Sequence, residues 1–228
     1  MIEKTSASWE LPLAAWAEWR WSEDCELPKL DFVDPMLRRR LSELSKISLW
    51  TAHQCVQGLN AVRMIYASQH GEIVRTTEML GELADNHPLS PTAFSMSVLN
   101  ASIGLYSIIR GNTEPATAIA AGAETLGYAL LEAYGQLSRN PTQPVLVIYA
   151  DETVPTVWQS QNMHPPHALA LLFQNDATMR VRCTRVSGGD LTNTANTQAR
   201  TLVDCLSSGD DVSWNQSGKS WHWQRLAE

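Results

Sequence analysis

The sequence predicts an α/β fold built on a mixed, mostly parallel sheet with helices on both faces. Three observations predict it. Short apolar, β-branched runs at 61–68, 116–122 and 144–151 alternate with helix-length segments. The last of them, PVLVIYAD, is the clearest strand in the chain. Two further runs, 167–174 and 178–186, read as an antiparallel hairpin around Asn175-Asp176. Alternation followed by a pair gives a sheet of about five to seven strands with an antiparallel edge. A chain of 228 residues is long enough for one such domain, 1–228.

Taken in order, the first forty residues carry Trp9, Trp16, Trp19, Trp21 and Phe32 among Pro, Asp and Glu. They read as a Trp-rich arm packed over the core, with a ligand platform as the sharper alternative. Asp34-Pro35 opens a helix, and Leu37, Leu41, Leu44 and Ile47 fall on one face of it. Leu49 and Trp50 follow just beyond. Residues 61–68 form a buried strand and 71–84 a helix. Asn86 to Pro91 is a loop, because two prolines interrupt any helix. A helix over 95–109 is rich in small residues (Ser97, Ala101, Ser102, Gly104), so it is buried deeply or lies at a subunit interface. After the strand 116–122 comes a helix over 123–137, and after the hairpin a polar-faced helix over 192–206. In the tail, Trp221 and Trp223 alternate with polar residues, as in a half-exposed strand.

Composition narrows the function. A net charge of −7 gives no basic face for nucleic acid. The start MIEKTSASWE lacks the pattern of a secretory signal, and no apolar run reaches membrane-span length, so the expected compartment is the cytoplasm. Cys25, Cys55, Cys183 and Cys205 form no CxxC pair and read as reduced thiols. Nucleophile-elbow, dinucleotide, phosphate-loop and zinc motifs are all missing. His164-Pro165-Pro166-His167 has no third ligand nearby, so no metal or other cofactor is expected. Asp151-Glu152 ends the best strand, where α/β proteins often keep functional groups. His70-Gly71 follows a strand and suits a pocket or an interface. Arg38, Arg39 and Arg40 offer a dock for an acidic partner.

Several of these pieces occur together. Ser90-Pro91 is followed by Asn100-Ala101-Ser102-Ile103-Gly104-Leu105-Tyr106-Ser107-Ile108, then Gly111, Pro115 and the strand 116–122, then a helix containing Glu132-Ala133. In this order the chain resembles the N-terminal half of the β-ketoacyl synthases, the thiolase-like condensing enzymes. The resemblance implies a thiolase-like half-fold. It also implies that a catalytic Cys is replaced: both Pro115 and Glu132-Ala133 register Ala123 at that position. The family's two catalytic histidines belong to a C-terminal half beyond this match. Ala67-Ser68-Gln69-His70-Gly71 and the Arg38–Ser42 helix are similar to the short ketosynthase-like proteins of aryl polyene clusters.

What the resemblance implies is a non-catalytic, chain-length-factor-like subunit. It would pair with a full-length ketosynthase in type II polyketide or fatty-acid-like synthesis and shape that partner's acyl tunnel. Tunnel positions carried over are His70, Ile73, Thr76, Thr77, Leu80, Thr92, Ala93, Phe94 and Met96. Interface positions are Ser97, Asn100, Ala101, Ser102 and Gly104, and Arg38, Arg39 and Arg40 become the acyl-carrier-protein dock. Two alternatives stand beside it: a small acyl hydrolase using Asp151, Glu124 or a histidine, and a carrier-protein-binding assembly module.

Overall fold

A computed structural model describes residues 6–158, 164–188 and 192–226; Met1 to Thr5, read above for a signal, lie outside them. One eight-stranded sheet carries the architecture, in the order β3-β2-β4-β5-β1-β6-β8-β7. β2 (Arg63–Ala67), β3 (Ala116–Ile119) and β4 (Val145–Asp151) are the alternating strands the sequence predicts, and they pair in parallel. β5 (His167–Phe173) lies antiparallel to β4 with every residue buried.

The sheet is mixed but mostly antiparallel, which corrects the expectation. The reason is β1. Residues Ser6–Arg20 are no arm over the core; they form a 15-residue strand inside the sheet. Its second half pairs with β5 and its first half with β6 (Arg180–Ser187), both antiparallel. β5 and β6 therefore do not form a hairpin; β1 separates them. Pro12 sits where β1 changes partner, beside a bulge between Leu13 and Ala15. The extra residue shifts the inward phase. Trp9, Leu11 and Leu13 enter one core before the bulge and Trp16 joins it after, while Ala15 and Ala17 turn to the opposite face.

Each sheet face carries its own core. On one, α6 (Thr125–Arg139) packs over β1, β2 and β4, and α7 (Gln198–Ser208) packs against α6 and the C-terminal strands. Trp221 and Trp223 of β8 (Lys219–Leu226) are wholly buried there, stacked at 6.3 Å, with Trp9 edge-on to Trp221 at 5.9 Å. On the other, α2 (Glu43–Cys55) packs over β1, β4 and β5, with α5 (Ala101–Arg110) packed against α2. Arg63 lies under the end of α6 and donates to the Gln136, Asn140 and Gln143 carbonyls at 2.8–2.9 Å, tying the helix end and the turn after it to β2.

Several elements differ from expectation. The Asp34 helix stops as α1 (Pro35–Arg38), and Ser42 caps a new helix, α2, through Ser45 N–H at 2.9 Å. Leu49 and Trp50 are inside α2, and Leu37 does not share a helix with Leu44. The small-residue helix expected over 95–109 begins later, as α5, ended by Gly111 at φ +62, and a separate short helix, α4 (Pro91–Ser95), precedes it. Cap residue Thr197 starts α7 later than expected. β7 (Val212–Gln216) was not anticipated; its register is set by pairing with β8.

One close approach is testable. A Cβ added at Gly127 of α6 would lie 2.6 Å from the Trp221 ring. The indole is fully buried and pinned by a 3.0 Å bond from its Nε1 to Glu124 Oε2, so it cannot retreat. Gly127→Ala is expected to destabilise the fold by about 1–3 kcal/mol despite Ala's better helix propensity. Urea unfolding of the two proteins checks this.

Candidate functional site

The parallel strands β2 and β4 and the start of α6 converge on a cavity of about 290 Å³. Ala123, His70, Asp151, Glu152, His164 and His167 line it, together with residues leading into α7. Asp151 closes β4 and organises the turn after β2. Its Oδ1 accepts from Ser68 Oγ at 2.7 Å, Gln69 N–H at 2.9 Å and His70 N–H at 3.1 Å. Ser68 Oγ in turn accepts from Gly71 N–H at 2.8 Å, and Gly71 takes the left-handed φ of +59 that closes the turn. The Ala67 to Gly71 motif is thus a hydrogen-bonded knot, and it leaves His70 exposed at the cavity rim.

Burial raises the Asp151 carboxyl despite these bonds. Glu152 accepts from Val74 N–H at 2.9 Å, yet burial and the charges of Glu72, Asp151 and Glu43 push it up to about 7. Its ordinary value is 4.5, so the folded state holds an extra proton between about pH 4.5 and 7 and loses stability as pH rises through that window. Glu152→Gln keeps the acceptor for Val74 and removes the charge. It is expected to stabilise the protein by about 1–2 kcal/mol at pH 8 and to do nothing at pH 4.5. Equal gains at both values, read by urea unfolding, would mean that charge is not the cause.

Glu124, beside Ala123, is committed to structure. It meets Lys219 Nζ at 2.6 Å, Arg185 Nε at 3.2 Å and Trp221 Nε1 at 3.0 Å. Burial would raise its carboxyl, but these partners outweigh it and hold the group low. Glu124 is engaged on both oxygens, and Asp151 Oδ1 is taken up in holding the turn after β2. Among the described residues no group of three His, Cys, Asp or Glu is placed to hold a metal ion.

The other predicted positions fall in separate places. Thr92, Ala93 and Met96 line a second cavity, of about 320 Å³, between α4 and α3 (Ile73–Ala84), whose remaining wall is Arg40, Arg75, Glu78, Met79, Glu82 and Ser90. Ile73, Thr76, Thr77 and Leu80 lie on a different face of α3, where Trp158 Nε1 donates to Thr77 Oγ1 at 2.7 Å. Phe94 is 60% exposed. On α5, Ser102 is buried inside the chain, 2.9 Å from Ser45 Oγ, while Gly104 is exposed with nothing within 4 Å of an added Cβ. Ala101, Gly104, Leu105 and Ile108 share the outer face of α5, with Ile108 76% exposed. Ser97 and Asn100 lie in the turns before it. Arg38 is tied to Leu30 O and Asp31, and Arg39 and Arg40 are exposed.

The sheet edges were missed by sequence reading. Beyond β7, Asn215 exchanges bonds with Thr194 at 2.7 and 2.8 Å, and Ser217 N–H reaches Asn193 Oδ1 at 3.0 Å, so that edge is covered. At the other end, β3 has no further strand beside it among the described residues.

A parallel-strand core that feeds a helix at the pocket, extended by antiparallel strands, defines an α/β protein of thiolase-like fold. The sequence profile for the β-ketoacyl synthase N-terminal domain matches residues 13–224, and the chain belongs to that family. No curated protein sequence matches it. Among solved structures it is similar to the ketosynthase ApeO in complex with its chain length factor ApeC from Xenorhabdus doucetiae, with TM-score 0.83 and 22% identity over 95% of this chain and 100% of that one. It is also similar to the ishigamide ketosynthase/chain length factor (TM-score 0.56, 15% identity, 70% of this chain and 52% of that one). A β-ketoacyl synthase from Burkholderia phymatum gives TM-score 0.59 at 11% identity, over 82% of this chain and 58% of that one. At these identities the likeness is one of fold. No helix among the described residues is long and apolar enough to cross a membrane.

Proposed function

We propose that this chain is the non-catalytic, chain-length-factor-like partner of a full-length ketosynthase in cytoplasmic type II polyketide synthesis, of the aryl polyene kind. One observation carries the reading. The uncovered edge strand β3 directly follows α5, whose outer face is an apolar ridge. An open edge with an apolar flank is a template for pairing with another chain. A ketosynthase edge laid against β3 would extend one sheet through both subunits about a pseudo-twofold axis. An obligate interface of this type buries upwards of roughly 2,000 Å². In that arrangement Thr92, Ala93 and Met96 close the far end of the partner's acyl tunnel, and exposed Arg39 and Arg40 contribute to a dock for the acidic carrier protein.

Condensation in this reading belongs to the partner. Ala123 stands where the family places its Cys, and Ala123→Cys alone is not expected to restore it. A new thiol at the start of α6 still lacks the two histidines that stabilise the developing oxyanion. Assay of the purified variant for condensation of acyl and malonyl carrier-protein thioesters checks this; turnover above the parent chain would overturn the account.

A further inference from the structure

α4 is a five-residue helix with no buried residue, too short to hold its shape unaided. It is tied to the rest of the chain at its C-terminal end. Met96, its cap residue, is buried in the core shared with α2 and α5. The Met96 carbonyl accepts from Arg75 Nη1 at 3.2 Å. Among the described residues, no other hydrogen bond joins 90–97 to another element. The same guanidinium donates from Nη2 to the Arg40 carbonyl at 3.2 Å, just before α2, and its Nε lies 3.9 Å from Glu72 Oε2. Glu72 is itself buried and fixed: its Oε1 accepts from Ser42 Oγ at 2.7 Å and from Ser45 Oγ at 2.8 Å, both at the start of α2. A planar guanidinium set at its base in this way reaches two carbonyls at once.

We propose that Arg75 is the positioning residue of the chain-length cavity: its guanidinium fixes α4 against α3 and so sets how far the space between them reaches. The proposal rests on the chain-length reading and adds to it the residue that shapes the site. Arg75 lines the same cavity as Thr92, Ala93 and Met96. Packing alone does not fix the spacing there. α3 buries only Met79 and α4 buries nothing, so no apolar core presses the two helices together. A gap of about 320 Å³ between two thinly packed helices widens with small shifts unless a rigid side chain spans it. Arg75→Lys keeps a cationic side chain beside Glu72, but a single ammonium on a flexible stem cannot hold the Met96 and Arg40 carbonyls with the same geometry.

Two measurements on Arg75→Lys test it. In hydrogen–deuterium exchange of the full chain, the Phe94, Met96 and Ser97 amides close the α4 turn onto the Ser90, Thr92 and Phe94 carbonyls. They are expected to exchange about tenfold faster or more, while β2, β4 and α6 stay protected as in the parent. In the complex with a co-expressed ketosynthase, mass spectrometry is expected to show a broader product distribution, moved to longer chains by at least one elongation cycle. The distribution is read among the products formed, so a lower turnover alone does not move it. Arg75→Met removes the carbonyl bonds together with the cation. If it fails to fold because Glu72 is left without Arg75, Glu72→Gln combined with Arg75→Met takes its place. Unchanged exchange over 94–97 in a folded variant overturns the proposal. So does faster exchange with unchanged products where Ala93→Phe does shorten them. If neither substitution moves the products, the chain-length reading fails and the proposal with it.

Discussion

A ketosynthase co-expressed with the Gly104→Trp chain is expected to purify without it, whereas the parent chain is expected to co-purify. Gly104 is exposed on the outer face of α5, and an added Cβ there meets nothing within 4 Å. The indole therefore has room in the free subunit, and the only local penalty is small. Helix propensity even favours Trp over Gly, so the melting temperature is expected to hold or rise slightly. In the complex the same position lies under the partner in the proposed pairing. A bulky ring there props the surfaces apart along the ridge formed by Ala101, Leu105 and Ile108 and keeps the β3 edge from reaching its partner. Losing that contact is expected to weaken association by about 100-fold or more, since each 1.4 kcal/mol is a factor of ten. Ala101→Trp, on the same face one turn earlier, is expected to do likewise. If both variants fold, co-purify and support full activity, the interface lies elsewhere.

Where the chain's own segments decide their structure, the sequence was readable. β4 is a continuous apolar run because both faces of the sheet are covered there, and β2, α3 and α6 announce themselves by local pattern. β1 was hidden for a physical reason. Pro12 argues against a central strand, and the inward phase changes at the Leu13–Ala15 bulge, so no single period-two pattern runs through Ser6–Arg20. The proline is tolerated because it stands where one partner strand gives way to the other. Once β1 was missed, β5 and β6 had to be paired with each other, and the sheet was expected to be mostly parallel. The site was partly legible. Asp151 and His70 were singled out and do meet, through the Asp151 bond to the His70 amide. Their role in knotting a turn depends on Ser68 and could not be seen. Arg75 and the covered β7 edge rest on contacts between residues far apart in the chain, and no local signal marks them.

The chain-length role leads to the second large effect. The cavity between α3 and α4 is apolar only at Ala93, Met79 and Met96; Arg40, Arg75, Glu78, Glu82, Ser90 and Thr92 form the rest of its wall. An acyl chain reaching it from a partner's tunnel gains about 0.8 kcal/mol for each methylene it buries against the apolar part. That gain stops where the charged side chains begin. In the proposed role, growth halts where further carbons find no apolar cover, and Ala93 sets how much cover there is. Ala93→Phe fills that part of the cavity. The backbone should tolerate it: residue 93 is only partly buried, and its N–H bond to Ser90 Oγ at 3.3 Å does not involve the side chain. The variant complex is expected to assemble and condense, with its main product shortened by at least one elongation cycle, because each lost methylene contact reduces occupancy about fourfold. Mass spectrometry of the released products, with parent and variant complexes assayed side by side, reads this directly. An intact, active complex with an unchanged product distribution would remove Ala93 from the tunnel and leave the bound chain's length to be set by the ketosynthase alone.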